Sequence, residues 1–272
     1  MNSNKQPAST IAEEIVDRWS WLRTYTAARI ALGRVGNGLP TAHVLSFALA
    51  HSQARDAIFN ELNVTSLQAE LEQAGLTTLA VRSRANDRRS YLLRPDLGRR
   101  LDVDSVSLLS TARAPRCDIV FVLSDGLSAA AVQRHTLPVL RELNPLLGDF
   151  AIGPVVIATQ ARVALADEVG DLLGARIAVS LIGERPGLSS PDSLGIYVTY
   201  RPRVGNSDEA RNCISNIRPA ALSYTSAARE LERLLRVVRL NERSGVGLPL
   251  SEPTLPAALS SGGRDGSPDT AP

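Results

Sequence analysis

The chain has 272 residues, 44% of them hydrophobic and 21% charged, with a formal net charge of +2. That length allows one or two domains with a real core, and 30 basic against 28 acidic residues leave no strong field to hold nucleic acid. No apolar run approaches the roughly 18 residues of a bilayer span, Met1–Ala12 lacks an apolar signal core, and Cys117 and Cys213 are too few for a disulfide framework or a thiolate zinc site.

In chain order, residues 1–10 are polar and aperiodic and read as a disordered tail. Residues 11–112 read as a mainly helical region. Ile15, Trp19, Leu22 and Thr26 recur at three- and four-residue steps, which predicts one helical face. Gly33, Gly36, Asn37 and Gly38 break it. Leu39-Pro40-Thr41 opens a second helix with Val44, Phe47, Ala48, His51 and Arg55 on one face. Leu67–Ala74 predicts a short third helix stopped by Gly75. Thr77–Ser83 has the composition of a strand, and Arg94–Leu101 reads as a turn followed by a helix start.

From 113 to 247 the grammar is that of a Rossmann-like α/β domain. Asp118–Leu123 is a short, β-branched apolar run, as expected for a strand buried on both faces. Ser124-Asp125-Gly126 ends it and a helix follows over Leu127–Leu143. Pro154–Ala158 predicts a second strand, Asp167–Leu173 a helix capped by Gly174, Arg176–Ile182 a third strand and Gly195–Tyr200 a fourth. Tyr224–Glu242 is a long amphipathic helix carrying Leu231, Leu234, Leu235 and Val238. Strands alternating with helices imply a mainly parallel sheet, whose ligands sit beyond the strands' carboxyl ends. The loops Ser124–Ser128, Thr159–Val163 and Gly183–Asp192 should therefore share one rim. Residues 248–272, rich in Pro, Ser, Gly and Asp, read as a second disordered tail. The fold class is thus α/β, with a helical N-terminal part and then a mainly parallel sheet domain.

Several chemical signatures are missing. No GxGxxG, P-loop, HExxH or CxxC is present. His43 and His51 lie two helical turns apart without a third ligand, so no metal site is expected. His135 reads as structural. Asp125-Gly-Leu-Ser128-Ala lacks the second glycine of a nucleophile elbow. Two stretches stand out. Gly183–Ser193 crowds Glu184, Arg185, Ser189, Ser190 and Asp192 onto a backbone fixed by two prolines and two glycines; a rigid turn with a local Glu–Arg pair explains it as well as a binding loop does. Arg211–Pro219 holds Cys213, which as a free cysteine is equally at home as a small buried hydrophobe.

These stretches, together with Leu22–Arg34, Ala50–Ala57, Arg94–Leu101, Ser124–Ser128 and Tyr200–Val204, resemble the small (light) subunit of ethanolamine ammonia-lyase, an adenosylcobalamin enzyme, and do so in order from Trp19 to Gly247. The resemblance implies a hetero-oligomer with several copies of each subunit. In it a (β/α)₈ large subunit converts ethanolamine to acetaldehyde and ammonia, and this chain clamps the cobalamin and supplies no catalytic residue. The family's cofactor contacts fall on Val163, by backbone or apolar contact, on Glu184, as acceptor for a ribose hydroxyl or an amide of the nucleotide tail, and on Cys213, lining the site. No DxHxxG is present, so the resemblance implies a base-on cobalamin, with cobalt keeping its own dimethylbenzimidazole.

Trp19, Trp21 and Tyr25 cluster in a chain with only 4% aromatics; they suit either docking on the large subunit or packing within this chain. Some family members carry a longer N-terminal extension that sends the enzyme into a bacterial microcompartment. Here the segment before Trp19 is short and its Ile11, Ile15, Trp19 stripe weak. The expected location is the cytoplasm, with the microcompartment as the alternative; neither membrane nor nucleic acid is an expected partner. The competing reading is a stand-alone Rossmann-like protein binding a nucleotide or another small ligand. A hydrolase using Asp125 and Ser128 ranks below it for want of a nearby histidine.

Overall fold

An apolar, β-branched run has no polar face to give to water and must be covered on both sides. Residues 119–124 are buried throughout and lie inside a six-stranded sheet. The computed structural model describes residues 14–15, 17–112 and 117–249; the two expected tails fall outside these except for residues 248 and 249. Its elements are β1 (Glu14–Ile15), β2 (Arg34–Val35), α1 (Thr41–Phe59), α2 (Val64–Gln73), β3 (Thr78–Arg82), α3 (Arg88–Leu93), α4 (Val103–Thr111), β4 (Ile119–Ser124), α5 (Ala129–Leu143), β5 (Val155–Thr159), α6 (Leu165–Leu173), β6 (Ile177–Gly183), β7 (Leu194–Tyr200), β8 (Arg211–Ile217) and α7 (Tyr224–Asn241). Short side chains cap several helices: Asn63, Asp87, Asp102 and Ser223 each accept the backbone N–H three residues on, which satisfies donors the first turn leaves free.

The sheet order is β3-β5-β4-β6-β7-β8. The first four strands are parallel and the last two antiparallel. Helices α2, α5 and α7 close one face over Phe121, Ile157, Leu181, Ile196 and Ile214. Helices α4 and α6 close the other over Val81, Val120, Val156 and Ala178. A parallel pair needs a crossover helix, whereas an antiparallel one does not. The chain leaves β6 by the loop 184–193 and turns straight back into β7. No crossover helix therefore lies over the top of β7 and β8 on the α6 side, and this uncovered face positions the site.

The N-terminal segment departs from its periodicity. Instead of a helix through Ile15, Trp19, Leu22 and Thr26, the chain forms the two-residue β1–β2 ladder and a 3-10 turn over Ser20–Thr24. A three-four repeat makes a helix worth forming only if its face is buried, and Trp19, Trp21 and Tyr25 remain 61%, 54% and 81% exposed. Trp21 and Tyr25 meet edge to face with ring centroids 6.1 Å apart, but none of the three enters the core of this chain. Helix α1 forms as expected, but Val44 and Phe47 of its apolar face are exposed and only Ala50 and Ala57 are buried. Among the described residues no helix is long and apolar enough to cross a membrane.

Candidate functional site

The three rim loops do meet at the carboxyl ends of the strands, yet the first of them is a brace. The Asp125 carboxylate accepts the N–H groups of Gln160 at 2.8 Å and Ala161 at 3.0 Å, and Arg88 lies 3.7 Å away. Gly126, at φ +56, packs so tightly that a Cβ would stand 2.3 Å from the Gly183 carbonyl oxygen. Ser128 is fully buried and its hydroxyl donates to the Pro191 carbonyl at 3.0 Å. His135 is occupied elsewhere, bonding the Tyr224 hydroxyl and the Asp192 carbonyl, both at 2.8 Å. Asp125, Ser128 and His135 thus hold the rim together, and no nucleophile–base pair exists among them.

The open surface lies beside this brace, on β7 and β8. Tyr197 pairs with Cys213 across the ladder and with Ser180 on its other side, so these side chains share a face. A cavity of about 400 Å³ opens over it, walled by Val163 and Ala164 from the loop after β5, Arg99 and Arg162, Tyr197, Cys213, and Asp208 with Arg211 at its lower end. Beneath, the Arg211 guanidinium meets Asp167 of α6 at 2.5 Å, with both side chains 2% exposed.

Glu184 reaches the same face from the end of β6. The ladder slips between Leu194 and Ile196, and the extra residue Asn216 takes a left-handed φ of +62. Such a bulge re-aims backbone groups at a sheet edge, and here the Asn216 N–H points at the Glu184 carboxylate, 3.3 Å from each oxygen. Gly195 makes this geometry available, since a Cβ there would lie 2.8 Å from Glu184 Oε1. Gly195 and Tyr197 are two residues apart on one strand and point to the same face. Burial, and after it the neighbouring Cys213 thiol and Glu184 carboxylate, push the Tyr197 phenol up to about 12. Tyr197 is therefore a neutral hydroxyl, able both to donate and to accept.

Val163, Glu184 and Cys213, far apart in the chain, are thus neighbours around Tyr197. Val163 and Cys213 line the cavity itself and Glu184 lies along its β7 edge. Sequence reasoning did not single out Tyr197, Arg99 or Arg162. The signal for Tyr197 was present in the alternation of Gly195–Tyr200, which sends Tyr197 to the face opposite Ile196 and Val198. Elsewhere in the Gly183–Ser193 stretch, Asp192 pairs with Arg134 at 2.8 Å, and Gly187 and Ser190 close a tight turn.

The family model described as "Ethanolamine ammonia-lyase light chain (EutC)" matches residues 16–249. The chain is similar to proteins described as "Ethanolamine ammonia-lyase small subunit" from three bacteria. It is 52% identical to that of Pseudomonas putida (strain GB-1) over 235 residues, covering 85% of this chain and 86% of the relative. It is 52% identical to that of Azotobacter vinelandii over 236 residues, covering 85% and 87%. It is 51% identical to that of Xanthomonas campestris pv. campestris over 237 residues, again covering 85% and 87%.

Proposed function

The chain belongs to the family of ethanolamine ammonia-lyase light chains, the small subunits of a carbon–nitrogen lyase, and on that premise we propose that it holds one side of adenosylcobalamin and leaves bond breaking to the large subunit. The observation that carries this reading is the convergence of Val163, Glu184 and Cys213 around Tyr197, over the β7–β8 part of the α6-side face that no crossover helix covers.

The residues present suit a corrinoid. Its rim of amide side chains asks for alternating donors and acceptors over an apolar wall. Val163 and Ala164 form such a wall, and the Glu184 carboxylate, the Tyr197 hydroxyl and the Cys213 and Ser215 side chains stand beside it. A cavity of about 400 Å³ is near the low end of the range for drug-sized ligands. It accommodates one part of so large a cofactor and leaves the remainder to a partner.

Adenosylcobalamin, once bound, supplies the radical that starts the conversion of ethanolamine to acetaldehyde and ammonia. The work of this chain is binding and orientation. Val163 meets the cofactor by apolar or backbone contact, Glu184 accepts from a ribose hydroxyl or an amide, and Cys213 fills space beside Tyr197. Binding energy realised on such remote groups is available to favour the reacting geometry.

The large subunit also accounts for the uncovered N-terminal surface. Trp19, Trp21, Tyr25, Val44, Leu45, Phe47 and Leu49 are all exposed, an unusual concentration of apolar area for a protein that works alone. We assign these exposed apolar residues to docking on the large subunit, and they count against the stand-alone ligand-binding protein. The test is reconstitution: large subunit, adenosylcobalamin and ethanolamine with and without this chain. Tight cofactor binding and deamination only in its presence are expected, and equal deamination when it is omitted overturns the reading.

A further inference from the structure

The cavity contains more positive charge than its surroundings neutralise. Three arginines line it. Arg211 is ion-paired with Asp167 at 2.5 Å and Asp208 at 2.7 Å, although its Nε is buried without a hydrogen-bond partner. Arg99 and Arg162 have no carboxylate partner among the described residues. Arg162 is nonetheless held in place: its guanidinium stacks 4.6 Å from the centre of the Tyr91 ring, and Nη2 donates to the Tyr91 carbonyl at 2.9 Å. Its Nε is buried with no hydrogen-bond partner. Arg99 sits on the turn packed against it, because the Arg162 N–H donates to the Gly98 carbonyl at 2.8 Å and a Cβ on Gly98 would touch Arg162 Cγ at 3.1 Å. Its neighbour Arg100 turns the other way and pairs with Glu168 at 2.9 Å. Of two consecutive arginines, one locks the turn to α6 and the other is left with an exposed, unpaired guanidinium.

One held guanidinium and one exposed guanidinium on the same cavity wall, both without a counter-ion and beside an unmet buried N–H, make an anion site, and guanidinium forks suit a phosphate in particular. The corrin amides of a cobalamin are neutral, and the anionic group on its periphery is the phosphodiester of the nucleotide tail. We propose that Arg99 and Arg162 anchor that phosphodiester, so that the tail lies toward the turn 97–99 and the corrin edge over Tyr197 and Cys213. This inference rests on the cofactor reading above.

Three corrinoids test it in the reconstituted two-subunit complex: hydroxocobalamin with the whole tail, cobinamide phosphate ending at the phosphate, and cobinamide with neither. Dissociation constants are read from the corrin absorption spectrum, without turnover. Arg99→Ala, an exposed change, should weaken hydroxocobalamin and cobinamide phosphate by at least about tenfold and leave cobinamide unchanged. Arg162→Lys, which keeps charge but not the fork, should show the same pattern with a smaller loss. Equal loss for all three probes, loss for hydroxocobalamin alone, or no loss overturns the anchor. Glu184→Ala separates the two ideas: if it weakens hydroxocobalamin while Arg99→Ala does not, the clamp stands and the anchor falls. If the wild-type complex binds hydroxocobalamin no better than the large subunit alone, both fall.

Discussion

The Glu184 carboxylate accepts the backbone N–H of Asn216 through both oxygens at 3.3 Å. This contact ties the end of β6 to the bulge in β8 across the width of β7, and holds the Glu184 carboxylate over Gly195.

Replacing Glu184 with Ala removes that acceptor. A hydrogen bond to a charged group contributes about 1.5–3 kcal/mol, so the dissociation constant of adenosylcobalamin in the reconstituted enzyme should rise at least about tenfold. Glu184→Gln, which keeps one carbonyl acceptor, should fall between the two. A wild-type titration curve for Glu184→Ala removes Glu184 from the site.

Cys213 and Cys117 differ in access. Cys213 is exposed on the cavity wall and Cys117 is buried, where desolvation raises its thiol above the ordinary range. Since the thiolate is the reactive species, iodoacetamide should label Cys213 well before Cys117 in the native chain, and bound cobalamin should protect Cys213. Peptide mass spectrometry reads both. Cys213→Ser should leave turnover largely intact, because no base accompanies the thiol; complete loss of activity would contradict a lining role.

The strands β4, β5 and β6 were legible because a strand buried on both faces writes an unbroken apolar run. Strand β8 was not. Its buried residues Arg211, Ile214 and Ile217 recur every three: Arg211 is buried on the α6 side with Asp167, Ile214 and Ile217 on the opposite face, and the Asn216 bulge sets those two three residues apart where the normal period is two. Helix α3 was hidden by its Arg88-Arg89-Ser90 opening, which owes its stability to the Asp87 cap at 2.7 Å rather than to an apolar stripe. The N-terminal periodicity misled because Trp19, which should anchor the helical face, is exposed. Of the site, Val163, Glu184 and Cys213 were reachable only through family resemblance. Nothing in their spacing announces that a missing crossover helix makes them neighbours. Arg99 and Arg162 lie in the Arg94–Leu101 and Thr159–Val163 stretches, but which arginines of so arginine-rich a chain lack partners is a property of the fold.

His135 should give stability a pH dependence. Its Nε2 lies 2.8 Å from the Asp192 carbonyl and its Nδ1 2.8 Å from the Tyr224 hydroxyl. Nε2 therefore donates, and Nδ1 accepts in the neutral ring. Burial lowers its pKa, opposed by the Asp192 backbone and carboxylate and assisted by Arg134. With the folded value below the unfolded one of about 6.5, the unfolded chain takes up the proton first as pH falls. Stability is then fully present above about pH 6.5 and is lost toward the folded pKa. The urea midpoint of the full chain should drop more steeply between neutral and mildly acidic pH for wild type than for His135→Gln. Parallel curves would show that His135 titrates alike in both states.

The Arg211–Asp167 pair under the cavity floor makes the strongest stability prediction. Both side chains are 2% exposed, and Arg211 further donates to the Ser207 carbonyl at 2.8 Å and meets Asp208 at 2.7 Å. Asp208 is itself 83% exposed, so Asp167 is the only one of the two carboxylates that shares the arginine's dry environment. Removing one partner of a buried pair strands the other charge, at roughly 3–5 kcal/mol, whereas replacing both with apolar groups of similar size is often neutral. Asp167→Ala should therefore lower the urea midpoint sharply, and adding Arg211→Met should recover most of the loss. Cofactor affinity should follow the same order, since Arg211 sets the lower wall of the cavity. If Asp167→Ala unfolds at the wild-type midpoint, the pair does not hold the floor, and the position of Arg211 must be set by the 206–208 turn alone.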